Sequence, residues 1–145
     1  MTEPAAETRS VVVEREFPFP PEKLWRALTQ PHLIEEWLMK NDFEPVVGRR
    51  FNLRNTPRPD VNIVLECQVL AVEPNKTLSY TWNFDDAASG LTSVVTFTLT
   101  PTRLGTHLRM EQTGFGPDQK QAFHGARYGW QQFFAKLEQV LARTD

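Results

Sequence analysis

Along most of this chain hydrophobic and polar residues alternate, and the pattern turns helical only after the first strand and again at the end. From Ser10 to Phe17, Val11, Val13 and Phe17 share one parity and Glu14 and Glu16 the other, as in a strand with one buried face. Pro20-Pro21 stops that strand. Neither proline has an amide hydrogen, which suits a helix start, where the first donors lack partners anyway. Leu24, Trp25 and Leu28 follow at helical spacing. Gln30-Pro31 breaks this helix, and Pro31 opens a second short one carrying Leu33, Ile34, Trp37 and Leu38.

Strands come next. Gly48 marks a turn, and Phe51 and Leu53 alternate with polar neighbours, whereas the prolines within Asn55–Asp60 predict a loop. Val61–Val72 reads as a strand and Glu73–Lys76 as a turn. Leu78, Tyr80, Trp82 and Phe84 then alternate with Ser79, Thr81 and Asn83, and Asp85–Gly90 is expected to reverse the chain. Val95, Phe97 and Leu99 form a further strand, Pro101–Gly105 a turn, and Thr106, Leu108 and Met110 the last strand. Short turns between consecutive strands imply an antiparallel meander. Gly114–Pro117 reads as a linker and Asp118 as a helix cap or first-turn acid.

The final segment changes period. Phe123, Ala126, Trp130, Phe133, Phe134, Leu137, Val140 and Leu141 make one apolar stripe on a helix over 118–142, and that stripe must lie on the sheet. Gly125, Tyr128 and Gly129 are expected on its back. Two glycines inside a helix cost about 1 kcal/mol each relative to alanine, so either a loop, a ligand or a second subunit offsets them or they are tolerated in a helix stabilised elsewhere. A homodimer would give that face a reason to be bare. The element order predicts an α+β helix-grip domain over residues 10–145, behind a flexible tail at 1–9. Its curved antiparallel sheet wraps a long C-terminal helix, with two short helices after the first strand.

Composition fits that picture. Of 145 residues, 40% are hydrophobic and 23% charged, and 10 Phe, 4 Trp and 2 Tyr suit a wide curved interior. A net charge of -2 gives no general attraction for nucleic acid, so Arg49, Arg50, Arg54 and Arg58 read as a solvated hairpin. Cys67 is the single cysteine, which excludes an intrachain disulfide, and it reads as a small buried hydrophobe. No apolar run approaches the ~20 residues of a membrane span, and Thr2–Glu7 does not resemble a leader peptide. No membrane insertion and a cytoplasmic location are the expectations.

Candidate chemistry is sparse. Glu66, Asp85, Asp86 and Glu111 fall on turns or outward parities, and His32, His107 and His124 are far apart without metal-binding spacing. No catalytic residue, metal or cofactor is therefore assigned, and an enzyme is the weaker reading. Four polar residues, Arg15, Ser93, Thr106 and Gln112, share parity with inward apolar positions. Sealed in a dry core without partners, each would cost about 1–3 kcal/mol. Water or a ligand in a cavity would relieve that cost, as would a wetted strand end or, for Arg15, a carboxylate partner. The cavity lining expected between sheet and helix is Trp37, Phe51, Cys67, Trp82, Val95, Phe97, Met110, Gln112, Phe123, Trp130 and Phe134. Taken singly, each aromatic member is ordinary core.

Several pieces together carry a family resemblance. They are Phe17-x-Phe19-Pro20-Pro21-Glu22-Lys23-Leu24-Trp25-x-Ala27-Leu28-Thr29, Pro31 to Trp37, Gly48-x-x-Phe51, Val69 to Pro74 and Leu78 to Trp82. Val94 to Leu99, Gly105-Thr106-x-Leu108, Gly114-Phe115 and Gly129-Trp130 complete the set. From residue 10 onward the chain resembles the START-like helix-grip (SRPBCC) superfamily, in the branch named after the activator of heat-shock-protein-90 ATPase. It departs at Gln112, where many relatives carry histidine, and at Cys67, where many carry glycine. The resemblance implies the fold but leaves function open, because the superfamily includes lipid and hormone carriers and polyketide cyclases. The leading expectation is non-enzymatic binding of a small hydrophobic or amphipathic molecule between sheet and last helix. The alternative is a protein-interaction module with a chaperone or other protein partner. A cyclase- or hydrolase-type enzyme comes third, since it needs an interior acid or base.

Overall fold

The computed structural model describes residues 9–84, 93–116 and 119–144. β1 (Arg9–Phe17) leads into helices α1 (Pro21–Thr29) and α2 (Pro31–Trp37). Strands β2 (Lys40–Asn41), β3 (Arg50–Arg58), β4 (Val61–Glu73), β5 (Thr77–Phe84), β6 (Ser93–Pro101) and β7 (Thr106–Phe115) follow, and α3 (Lys120–Arg143) closes the chain. The strands form one antiparallel sheet ordered β1-β7-β6-β5-β4-β3-β2. This is the α+β helix-grip fold, with the curved sheet wrapped around α3. The expected turn at Asp85–Gly90 and the cap at Asp118 lie outside the described residues, as does the expected tail apart from Arg9, which begins β1.

Strand parity reads true on the inner face. Val11, Val13 and Phe17 of β1, Val95, Phe97 and Leu99 of β6, and Leu108 and Met110 of β7 are all buried. The two short helices cap one end of the concavity with Leu24, Leu28, Ile34 and Trp37, and the Trp37 indole N–H donates to Ala27 O at 2.8 Å. Gly105 crosses the end of β1 so closely that a Cβ would lie 2.2 Å from Phe17 O. No side chain fits there.

Two loop expectations are corrected. Asn55–Arg58 belongs to β3, leaving only Pro59-Asp60 between β3 and β4. Pairing skips between Asn55 and Arg58, and an irregularity near the sheet edge is where a strand tolerates proline. Gly114-Phe115 likewise ends β7 rather than forming a linker. Gly114 turns the chain at φ 109°, and Phe115 is buried. The two-residue strand β2, which pairs Lys40 and Asn41 with Arg54 and Leu53, carries too short a pattern to be read from sequence.

The ends of α3 differ sharply. Trp130, Phe134, Leu137, Val140 and Leu141 are buried against the sheet and the short helices, whereas no residue from Lys120 to Gly129 is buried. Arg15 on β1 and Arg143 at the end of α3 reach carboxylates across the seams, at Glu138 (3.0 Å) and at Glu36 on α2. The arginine hairpin is solvated as expected, with Arg49 paired to Glu44 and Arg58 4.0 Å from Asp60.

Candidate ligand cleft

Under the first half of α3 the sheet and helix part to leave a cleft of about 380 Å³. Its helical wall is Ala122, Gly125, Ala126, Gly129, Trp130 and Phe133. Its floor comes from Ile63 and Leu65 of β4, Trp82 of β5, and Gln112 and Phe115 of β7, with Met39 and Asn55 at the remaining side. A Cβ added at Gly125 or Gly129 would meet no atom within 4 Å, so these glycines face open space. Larger side chains there would occupy the cleft.

This overturns the expectation that Gly125 and Gly129 lie on the back of the helix. At about 100° per residue Gly129 sits only ~40° from Phe133, so the glycines flank the apolar stripe. Only Tyr128 of the three is turned outward, at 67% exposed. With both glycines on the cleft, their bareness no longer points to a partner subunit.

One polar chain runs behind the aromatic wall. The Trp130 indole N–H donates to Gln112 Oε1 at 2.8 Å, Gln112 Nε2 donates to Ser93 Oγ at 3.0 Å, and Ser93 Oγ donates to Trp82 O at 2.6 Å. An indole N–H can only donate, so it fixes which end of the Gln112 amide is oxygen and orders the rest of the chain. This chain holds the Trp130 indole, whose ring meets that of Trp82 at 5.1 Å and 50° and that of Phe133 at 5.3 Å.

The inward polar residues therefore find protein partners rather than cavity water. Arg15 is partly exposed and paired with Glu138, Thr106 Oγ1 donates to Phe19 O at 2.8 Å, and Ser93 and Gln112 bond each other. Among the described residues no buried side-chain nitrogen or oxygen lacks a hydrogen-bond partner. Unmet polarity does not account for the cleft; small side chains on the helix do.

Of the residues expected to line a cavity, the structure brings Trp82, Gln112 and Trp130 together on the cleft. Trp37, Phe51, Cys67, Val95, Phe97, Met110 and Phe134 are buried in the core instead, and Phe123 is half-buried against Phe115 at 5.8 Å. Sequence reading missed Ile63, Leu65, Phe115, Phe133 and Met39 as lining residues. The available signal was the spacing of Ala122, Gly125, Ala126 and Gly129, which puts four small residues along one flank of a helix.

Ionisable groups with displaced titration lie in the core. Burial, reinforced by the charges of Asp42 and Glu66, pushes the Cys67 thiol up from 9.0 to about 12. Burial also raises Tyr80, with Cys67 adding to it. A thiol held neutral this way is a packing group rather than a nucleophile. Among the described residues no group of three or more His, Cys, Asp or Glu side chains could hold a metal ion, and no helix is long and apolar enough to cross a membrane.

The curved seven-stranded sheet gripping a terminal helix defines a START-like helix-grip protein. The chain belongs to the Activator of Hsp90 ATPase homolog 1-like family, whose sequence model matches residues 18–142. It is 70% identical to a Mesorhizobium loti protein of known crystal structure, over 94% of this chain and 99% of that one, with a TM-score of 0.86. A Chromobacterium violaceum protein (23% identity, 93% and 98% covered, TM-score 0.81) shares the fold. So does a Rhodobacter sphaeroides protein (24%, 96% and 100%, 0.81). No functionally curated protein matches the chain.

Proposed function

We propose that this protein binds a small hydrophobic or amphipathic molecule, without chemical turnover, in the cleft beneath the first half of α3. The observation that carries this reading is the apolar cleft of about 380 Å³, left open at Gly125 and Gly129 beside the hydrogen-bonded Trp130 indole. Its volume falls within the range of about 300–1,000 Å³ usual for small-molecule sites. Apolar lining favours a ligand whose body leaves water on entry. The described lining includes no acid, base or nucleophile, so the cleft lends no support to an enzyme of cyclase or hydrolase type.

A thermal-shift screen of fatty acids, aromatic polyketides and sterols tests the proposal, with tryptophan fluorescence as a second readout. A ligand at about 100 times its Kd should stabilise the protein by about 2.7 kcal/mol, and Gly129→Leu should abolish that gain. No stabilisation by any compound, or a gain that survives Gly129→Leu intact, defeats the reading.

The family's description favours a second reading, a protein-interaction module related to the activator of the heat-shock-protein-90 ATPase. Recovery of a chaperone in stoichiometric amount on pull-down, with no small molecule extracted from the purified protein, would put it first.

A further inference from the structure

We infer that the cleft selects an uncharged, flat aromatic molecule and discriminates against carboxylates and ammonium ions of the same shape. The inference rests on the cleft being a ligand site, and it names the class of ligand. Among the described lining residues none has an ionisable side chain; the polar side chains are the amides of Gln112 and Asn55. Arg9, whose guanidinium lies 5.5 Å from the Phe123 ring, and His124, against the same ring at 5.4 Å, are exposed and outside the lining. A charge carried into the cleft thus loses water and meets no opposite charge, which neutral ligands avoid. The negative ring faces of Trp82, Trp130 and Phe133 add to the penalty for an anion and offset only part of the larger desolvation cost of an ammonium ion.

The same wall argues for a flat body. Trp82 and Trp130 meet at 50° and Trp130 and Phe133 at 75°, so faces and edges both border the space and a planar ring can meet either. The small face at Gly125 and Gly129 opposes no bulk to such a slab. Gln112 adds no charge and little free polarity, since its Oε1 accepts from Trp130, its Nε2 donates to Ser93, and the residue is 1% exposed.

Three probes with one two-ring body decide it: 2-naphthamide, 2-naphthoate and 2-naphthylmethylammonium, titrated by tryptophan fluorescence and calorimetry at pH 7. The amide should bind about tenfold or more tightly than either ion, a ratio worth about 1.4 kcal/mol. Naphthoate affinity should climb as pH falls toward the probe's own carboxyl pKa, while amide affinity stays flat. Gly129→Leu, with its fold checked by circular dichroism, should abolish binding of all three. Naphthoate or the ammonium binding as tightly as the amide overturns the selectivity while leaving a ligand site standing. Naphthoate binding that weakens with Arg9→Gln does the same, by placing the carboxylate on the rim arginine. If none of the three probes and no compound of the wider screen binds, the ligand site falls and the selectivity with it.

Discussion

The two halves of α3 carry one continuous apolar stripe and do opposite things with it. From Phe134 to Leu141 the stripe is built of Phe, Leu and Val, every member is buried, and the space between helix and sheet is filled. From Ala122 to Gly129 the flank of the same stripe is built of alanine and glycine, and the space stays open. Both halves are regular helix, and the large side chains of the second fill the space that the small ones of the first leave open. Trp130 belongs to both. One of its ring neighbours, Phe97 at 5.7 Å, is core, and another, Trp82 at 5.1 Å, walls the cleft.

The sharpest way to break this contrast is truncation in each half. Phe134→Ala, at a fully buried ring packed 6.0 Å from Phe17, should cost about 3–5 kcal/mol in urea denaturation. Tyr128→Ala in the first half should stay within about 0.5 kcal/mol of the parent. Comparable losses at the two positions would mean that the first half is packed against something and the contrast is false.

Alkaline titration separates core from cleft by a different property. Cys67 and Tyr80 lie in the filled core, both with raised pKa values, and the described cleft lining has no titrating side chain. A thiol raised from 9.0 to about 12 keeps its proton in the folded protein while the unfolded chain has lost it. The folded state then binds more protons, so the thiol's contribution is intact below pH 9.0 and is lost as pH climbs toward about 12. At about 1.4 kcal/mol per pH unit, up to about 2–3 kcal/mol should be gone by pH ~11. Cys67→Ala should flatten that fall relative to its own stability at neutral pH, and Tyr80, displaced in the same direction, should supply part of the rest. An unchanged slope in Cys67→Ala melts would show that the thiol is not held neutral by burial.

Gln112→Leu probes the seam between the halves. It leaves the Trp130 N–H without its acceptor in a buried place, a loss of about 1–3 kcal/mol. It should also loosen the tryptophan wall, visible as a change in the fluorescence of the unliganded protein. Parent-like stability together with parent-like fluorescence would mean that Trp130 is held by packing alone.

How much of this was legible beforehand follows from what each signal encodes. Period-2 alternation locates a strand and its buried face, so Val11, Val13, Phe17, Phe97 and Met110 were placed inward correctly. Alternation says only that a residue faces inward, not whether its space is filled, and Phe97 and Trp82 look alike in sequence although one is core and the other cleft. Proline content was misread as a loop at Asn55–Arg58 because the rule ignores edge position, where the missing amide costs little. The glycines were noticed and placed on the wrong face, since an apolar stripe drawn through large residues hides the small ones on its flank.

The smallest expected effect bears on that last point and tests the contrast from the other side. Gly129 lies in regular helix with open space at its Cβ position, so Gly129→Ala adds a methyl group that displaces nothing. Glycine within a helix is worse than alanine by about 0.8–1.0 kcal/mol, chiefly through backbone entropy in the unfolded chain. The substitution should therefore stabilise the protein by nearly that amount, and Gly125→Ala should do the same independently, because neither methyl group meets a neighbour. One methyl group removes a small part of about 380 Å³, so ligand affinity should change little with alanine and collapse only with leucine. Alanine at these positions would then leave the cleft as open as glycine does, with a more stable helix, and only a large side chain would close it. A destabilised Gly129→Ala, together with light scattering that shows a dimer in the parent and a monomer in the variant, would reveal a second subunit seated against the glycines and make that face an interface instead of a cleft.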